Sequence, residues 1–181
     1  FQIELAKQTL QALSSTKWSS ISLDKICKKS KLDKQKASKY IKNKHGLLIN
    51  INQYFDNQVL LSIKSIEKST SRDMLFEILM LRFDLLNRYR KPILTIFNIF
   101  KCQPKIFILL LPFFIKSISI MTKKANIETK GIAGNLKIKG VLIVYFSTFL
   151  TWIKDENPAL EKTMTVLDNY LERADSLLKI I

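Results

Sequence analysis

Glycine, proline, cysteine and histidine are all scarce in this chain of 181 residues. Four glycines and four prolines are too few for a protein rich in β-turns, which favours an all-α fold. The one histidine, His45, excludes a histidine-based metal cluster or catalytic triad. Cys27 and Cys102 form no CxxC pair, and the position of Cys27 on an apolar helix face predicts a buried free thiol in a reducing compartment. We therefore expect no enzyme activity, no metal and no cofactor.

Long hydrophobic runs are also missing from the sequence. The longest uninterrupted apolar segment covers residues 106–115 and contains Pro112. A helix needs about 20 apolar residues to cross a bilayer. The sequence thus predicts no integral membrane segment, and it shows no cleavable signal sequence. We expect a soluble, cytoplasmic protein.

Acidic residues are half as frequent as basic ones, and the net charge is +15. The excess is uneven, because residues 1–50 carry +8 and residues 151–181 carry −2. A basic N-terminal part beside a near-neutral C-terminal part indicates an anionic polymer or surface as the partner of one end only. A lysine-rich composition without a specific partner is the alternative.

Residues 22–44 hold two short amphipathic helical patterns joined by a polar turn, with nine lysines against two aspartates. Ser22 is a good N-cap for the first pattern, and Asp33 for the second. The second pattern buries Ala37 and Ile41 and turns its polar side chains outward. A pair of this kind predicts a helix-turn-helix, whose basic second helix suits the major groove of double-stranded DNA.

The same segment resembles the DNA-binding region of TetR-type bacterial regulators, in register and without a gap. The start of the family pattern is matched by Ser22, Ile26 and Cys27, and its end by Lys44, Leu47 and Leu48. Several side chains depart from that pattern, among them those at positions 30–33, 37, 38 and 41. Ser38 replaces a tyrosine that the family uses on phosphate, and Lys31 replaces the turn glycine. Tyr40 is an alternative phosphate contact, although packing explains it equally well.

Lysine ammonium groups are expected to neutralise phosphates as point charges, whereas Gln35 and Ser38 are better placed for base edges. Glutamine can pair bidentately with adenine. The candidate DNA-binding residues are Ser22, Lys34, Gln35, Lys36, Ser38, Lys39, Tyr40 and Lys44.

The periodicity of the chain predicts nine or so helices and no sheet, arranged as a TetR-like fold. Residues 1–45 are predicted to form the three-helix DNA-binding domain, and residues 46–181 a helical ligand-binding and dimerisation domain. A long helix over residues 47–66 would connect the two. Pro92 and Pro104 are expected to open helices. The last helix is expected at residues 159–179, with Asn157 as its cap.

A second resemblance is carried by RDMLFEILMLRFDLLNRYR and YFSTFLTWIKDENPALEKTMTVLDNYLERA. Its specific part is the spacing of Trp152, Asp155, Thr163, Leu167 and Asp168. These pieces are similar to an alphaproteobacterial subgroup of TetR-type regulators and to the lipid-binding ubiquinone-biosynthesis family that shares their fold. The TetR resemblance implies a homodimeric four-helix bundle built from the last two helices. We expect Leu167 and Leu171 at that interface, with the glycines at 131, 134 and 140 allowing close approach.

Aromatic residues are concentrated in the C-terminal part, where they would line a cavity for an unknown hydrophobic effector or fill a packed core. The candidates are Phe83, Phe97, Phe100, Phe107, Phe114, Tyr145, Phe146 and Trp152. Two functions remain open. The first is a homodimeric, ligand-responsive transcriptional repressor. The second is a lipid- or isoprenoid-binding accessory protein of ubiquinone biosynthesis with a degenerate DNA-binding end.

Overall fold

The computed structural model describes residues 1–63 and 69–178, and these residues form helices and no strands. The all-α prediction is therefore confirmed. The helices are α1 (Gln2–Ser15), α2 (Leu23–Ser30), α3 (Lys34–Tyr40), α4 (His45–Ser62), α5 (Ser71–Arg88), α6 (Arg90–Cys102), α7 (Pro104–Lys124), α8 (Gly131–Trp152) and α9 (Glu161–Leu178), with a short 3-10 helix at Trp18–Ser20.

The chain divides into two compact units. Unit 1 comprises Phe1–Gln58 and Arg88–Phe113, and unit 2 comprises Val59–Asn87 and Phe114–Ile181. In unit 1, α1 packs against both α2 and α6, and α2 packs against α3. The side of α1 that faces these helices contains Leu5, Ala6 and Leu10, which are all at most 1% exposed. In unit 2, the main contact between helices is that of α8 with α9.

Polar residues cap several helices where the sequence predicts it. The Ser22 hydroxyl accepts from the Lys25 N–H at 3.3 Å at the start of α2. The Asp33 carboxylate accepts from the backbone N–H groups of Gln35 and Lys36, at 2.8 and 3.2 Å, at the start of α3. Both caps satisfy donors that have no partner inside the helix. The two N-cap predictions are confirmed.

Three helix starts differ from the predicted ones. The long helix begins at His45 rather than at residue 47, and its predicted last residues, 64–66, lie outside the described residues. Helix α6 begins at Arg90, so Pro92 is its third residue. A proline is tolerated there because the first-turn N–H groups have no partner within the helix.

The predicted start of α9 at residue 159 is wrong, because the helix begins at Glu161. Asn157 caps only a turn, its Oδ1 accepting from the Ala159 N–H at 2.9 Å. Leu160 has a φ of 53°, which is left-handed and incompatible with an α-helix, and its side chain is fully buried. The helix is capped instead by Asp155, whose Oδ2 accepts from both the backbone N–H and the hydroxyl of Thr163 at 2.8 Å.

The residues expected at a dimer interface lie inside the subunit. Leu167 and Leu171 are 0% and 1% exposed, so their stripe packs against the chain's own core. A Cβ on Gly134 would lie 2.2 Å from the Thr129 carbonyl carbon of the same chain, so the close approach at Gly134 is intramolecular. The prediction that Leu167 and Leu171 face a partner subunit is wrong, because an apolar stripe indicates burial without identifying what covers it.

Two helices are long and apolar enough, by length and composition alone, to cross a membrane. Helix α7 contains an 18-residue window of mean hydropathy 1.8, and α8 one of 1.2. Only 33% and 39% of the residues in these windows are buried. Counting uninterrupted apolar residues missed both helices. Lys116 and single serines interrupt the runs of α7, and Lys137 and Lys139 interrupt those of α8, while the average hydropathy stays high.

Candidate nucleic-acid interface

Helices α2 and α3 form the predicted helix-turn-helix in unit 1. Ile26 and Cys27 on α2 and Ala37 on α3 are each at most 5% exposed and hold the pair together. Ile41 follows α3 and is 6% exposed. Burial raises the pKa of the Cys27 thiol, and nearby Asp24 and Asp33 raise it further. Cys27 is therefore a buried neutral thiol, as predicted.

The turn between the two helices passes through Lys31, which has a φ of 55° and a ψ of 30°. The Leu32 N–H donates to the Cys27 carbonyl at 3.0 Å and closes the end of α2. Glycine adopts this left-handed conformation freely, but a lysine is strained by about 1–2 kcal/mol. The turn therefore places a lysine, and not a glycine, at a positive φ.

Helix α3 presents Gln35, Ser38 and Lys39 to solvent, and all three are exposed. At 3.6 residues per turn, Lys39 and Gln35 lie on the side of the helix opposite Ala37. The Lys39 ammonium group and the Gln35 amide have no partner among the described residues. These side chains form a free polar surface, which we call the α3 free face and define as Gln35, Ser38 and Lys39.

Lys34, another candidate phosphate contact, is already paired with an aspartate. Its ammonium group lies 2.7 Å from Asp24 Oδ1, and Lys28 lies 3.3 Å from the other oxygen of the same carboxylate. Hydrogen bonds from Lys34 and then Lys28 lower the pKa of Asp24, and Asp24 in turn raises the pKa of Lys34. A phosphate would have to compete with Asp24 for Lys34.

The Lys44 side chain contacts the short 3-10 helix at Trp18–Ser20. Its ammonium group donates to the carbonyls of Trp18 and Ser19, the latter at 3.2 Å, and lies 4.4 Å from the centre of the Trp18 ring. Burial lowers the pKa of Lys44, and nearby Lys25 lowers it further. Trp18 is only partly buried, and its ring faces the Lys44 ammonium group.

The three remaining candidates lie around this surface with contacts of their own. Lys36 lies 5.0 Å from the centre of the Phe1 ring. Tyr40 is 53% exposed, and its ring lies 6.3 Å from that of Phe1. Ser22 is engaged as the cap of α2. The contacts of Phe1 with Lys36 and Tyr40 could not be predicted from the sequence, because Phe1 belongs to a different helical pattern from α3.

The nine lysines of residues 22–44 are thereby separated into two groups. Six have a partner among the described residues: a carboxylate, a carbonyl or an aromatic ring, at Lys25, Lys28, Lys34, Lys36, Lys42 and Lys44. Lys29, Lys31 and Lys39 have none among the described residues. Of these three, only Lys39 lies on α3.

The aromatic candidates for an effector cavity divide between the two units. Phe97, Phe100 and Phe107 belong to unit 1, and the other five belong to unit 2. In unit 2 the Phe83 and Tyr145 rings stack at 5.4 Å, and the Arg82 Nε donates to the Tyr145 hydroxyl at 3.2 Å. Phe146 contacts both Tyr145 and Phe114, with ring centres 5.5 and 5.6 Å apart. These rings therefore pack on one another.

Comparison with solved structures identifies the fold. The chain is similar to the crystal structure of the TetR transcriptional regulator from Nitrosomonas europaea ATCC 19718, with a TM-score of 0.75. The match covers 97% of this chain and 98% of that chain at 17% sequence identity. No protein-family model and no curated protein sequence matches the chain. At this identity the similarity establishes a TetR-like fold.

Proposed function

We propose that this protein is a sequence-specific, DNA-binding transcriptional regulator. The observation that carries the proposal is the α3 free face, which is polar and cationic and lies on the second helix of a helix-turn-helix. Its Gln35 and Lys39 side chains have no partner among the residues that the structure describes. In a protein with this fold, that helix is the one suited to the major groove. Residues 1–45 would be the DNA-binding domain, and residues 46–181 the ligand-binding and dimerisation domain.

We assign different roles to the candidate residues, and their intramolecular contacts support this division. Lys39 neutralises a phosphate, since its ammonium group has no partner to give up within residues 1–63 and 69–178. Gln35 and Ser38 contact base edges. Lys34, Lys36 and Lys44 contribute less than Lys39, because phosphate binding by each requires breaking an existing contact. Ser22 and Tyr40 remain candidate contacts at the edge of the surface.

We further propose that the protein acts as a homodimer through α8. The large exposed apolar residues Ile132, Leu136, Ile143 and Leu150 are between 51% and 92% exposed. At 3.6 residues per turn they fall within an arc of about 40° on α8. A two-fold axis near Ile143 would pack this stripe on itself, with Leu136 of one subunit against Leu150 of the other. Two DNA-binding domains would then occupy the two halves of a palindromic site.

The remaining parts of the proposal concern regulation. A hydrophobic effector, bound among the aromatic residues of unit 2, would change the position of α4 and release the DNA. The protein would then act as a repressor. In this proposal it is cytoplasmic and has no enzyme activity. Such a switch requires the effector to bind the two states unequally. The similarity to the alphaproteobacterial subgroup and to the ubiquinone-biosynthesis family stays a prediction.

The test is a salt titration of DNA binding on a site selected from random sequences and on a scrambled version of it. Lys39→Ala should weaken binding to both DNAs. It should also reduce the slope of log affinity against log salt concentration by about one unit per DNA-binding domain. Gln35→Ala should cost about 1–3 kcal/mol on the selected site and little on the scrambled one.

Lys124→Ala is the matched control, because Lys124 is an exposed lysine of unit 2. It should leave affinity and slope unchanged. If Lys39→Ala behaves like this control, the α3 free face does not contact DNA and the proposal fails. Recovery of a bound lipid in place of DNA would then favour the lipid-binding alternative.

A further inference from the structure

An acid-free segment extends over residues 85–127, covering α6 and α7. It contains no aspartate or glutamate, but it has eight basic residues: Arg88, Arg90, Lys91, Lys101, Lys105, Lys116, Lys123 and Lys124. The chain's 15 acidic residues all lie outside it. A segment of this length with only one sign of charge attracts anionic partners, and no acid of its own offsets the charge.

The first half of α7 shows large apolar side chains beside these lysines. Ile108 is 65% exposed and Leu109 is 49% exposed. At 3.6 residues per turn, Lys105, Ile108, Leu109 and Pro112 fall within an arc of about 100°, and all four are exposed. Ile106 and Leu110, on the other side, are 5% and 2% exposed. This half of α7 therefore packs one apolar side into unit 1 and leaves a second apolar side uncovered.

Lys101 lies at the end of α6, four residues before Lys105 in the chain, and its ammonium group is 5.6 Å from the centre of the Phe97 ring. It is exposed, and only Gln103 separates α6 from α7. We call Lys101, Lys105, Ile108, Leu109 and Pro112 the α6–α7 edge. All five belong to unit 1. Lys105 has no partner among the described residues, so its ammonium group is available to an anionic partner.

We propose that the α6–α7 edge docks on an anionic lipid bilayer surface. Such a surface accepts both parts of the edge, since lipid phosphates attract the lysines and the acyl boundary takes Ile108 and Leu109. Double-stranded DNA offers phosphates but nothing that buries these two apolar side chains. A second copy of the chain would place two cationic surfaces against each other. The helix lies on the membrane in this proposal and does not cross it.

The inference does not rest on DNA binding by α3. It accounts for the 18-residue window of α7, which has a mean hydropathy of 1.8 although only 33% of it is buried. A helix that served only the protein core would not leave so much apolar surface exposed. The two surfaces are also made of different residues, so substitutions separate them.

The experiment is co-sedimentation of the full chain with vesicles of phosphatidylcholine alone and of phosphatidylcholine with an equal part of phosphatidylglycerol. The protein should bind only the anionic vesicles, and added salt should weaken binding. Lys105→Glu should reduce affinity at least fivefold, which corresponds to about 1 kcal/mol per lysine near an anionic surface. Replacing both Ile108 and Leu109 by serine should reduce affinity by about tenfold or more.

Two matched controls identify the surface. Leu61→Ser removes a leucine that is 60% exposed elsewhere, and Lys154→Glu reverses an exposed lysine outside the acid-free segment. Both should bind anionic vesicles like the unmodified protein, and thermal unfolding should show that every variant is folded. The proposal is overturned if the unmodified protein does not bind anionic vesicles, or if the controls lose as much affinity as the edge variants. It is also overturned if Lys39→Ala abolishes vesicle binding, or if the Ile108 and Leu109 double variant turns dimers into monomers.

Discussion

Replacing Asp155 by alanine should strongly destabilise the fold, because this carboxylate caps α9 from eight residues away. Asp155 is 1% exposed and Thr163 is fully buried. Asp155 Oδ2 accepts from the Thr163 N–H and hydroxyl at 2.8 Å each, and Oδ1 accepts from the Asn157 N–H at 3.3 Å. The substitution leaves two buried donors of Thr163 without an acceptor.

The size of the effect follows from these groups. A buried donor left unsatisfied costs about 1–3 kcal/mol. Two such donors and the weaker Asn157 bond predict a loss of about 3–5 kcal/mol in the free energy of unfolding. Thr163→Val removes only the hydroxyl and should cost about 1 kcal/mol. In the Asp155→Ala background, Thr163→Val should cost less than it does in the wild type. The hydroxyl that it removes has already lost its acceptor there.

The stabilisation by Asp155 should also depend on pH. Burial alone would raise the pKa of Asp155, but the hydrogen bonds from Thr163 and the Asn157 N–H outweigh it and hold the pKa below its ordinary value. A carboxyl group whose pKa is lower in the folded state stabilises fully above the unfolded pKa of about 4. This contribution is lost as the pH falls from there through the folded pKa. The difference in the free energy of unfolding between wild type and Asp155→Ala should therefore become smaller below about pH 4.

Urea unfolding at a fixed protein concentration measures these differences. Glu156→Ala is the control, since Glu156 is the neighbouring acid and is exposed. Its free energy of unfolding should stay within about 0.5 kcal/mol of wild type. Asp155 would not be the cap of α9 if Asp155→Ala lowered the free energy of unfolding by less than about 1 kcal/mol. The same conclusion would follow if the difference from wild type grew as the pH is lowered.

Three further predictions concern other parts of the molecule. Lys31→Gly should raise the free energy of unfolding by about 0.5–1 kcal/mol in urea titrations, because it relieves the positive φ, whereas Lys31→Ala should bring no gain. Ile143→Glu should give folded monomers in analytical ultracentrifugation, since Ile143 is 66% exposed. Leu167→Glu should unfold the chain, because Leu167 is buried. An unchanged dimer for Ile143→Glu contradicts the proposed interface. In native protein a thiol-alkylating reagent followed by mass spectrometry should modify Cys102, which is exposed, well before Cys27, and equal rates would show that the α2–α3 pair opens readily.

The short-range features of the fold were predictable from the sequence. Ser22 and Asp33 cap helices by contacts to backbone groups two or three residues away, and such contacts depend only on local spacing. The burial of Ala37 beside the exposure of Lys39 follows from the helical period alone. For the same reason the all-α class and the position of the helix-turn-helix could be read before any contact was known.

The tertiary structure alone decided which groups remain free for a partner. Lys34 and Lys39 are equivalent in the sequence, but the packing of α2 on α3 places Asp24 against Lys34 and leaves Lys39 without a partner among the described residues. An amphipathic stripe likewise states that Leu167 and Leu171 are buried, whereas the contact of α8 with α9 determines that their own chain buries them and that Ile143 faces outward. The start of α9 was hidden for a related reason. A cap that joins Asp155 to Thr163 across a left-handed Leu160 depends on how the chain turns between them, and no local pattern records that turn.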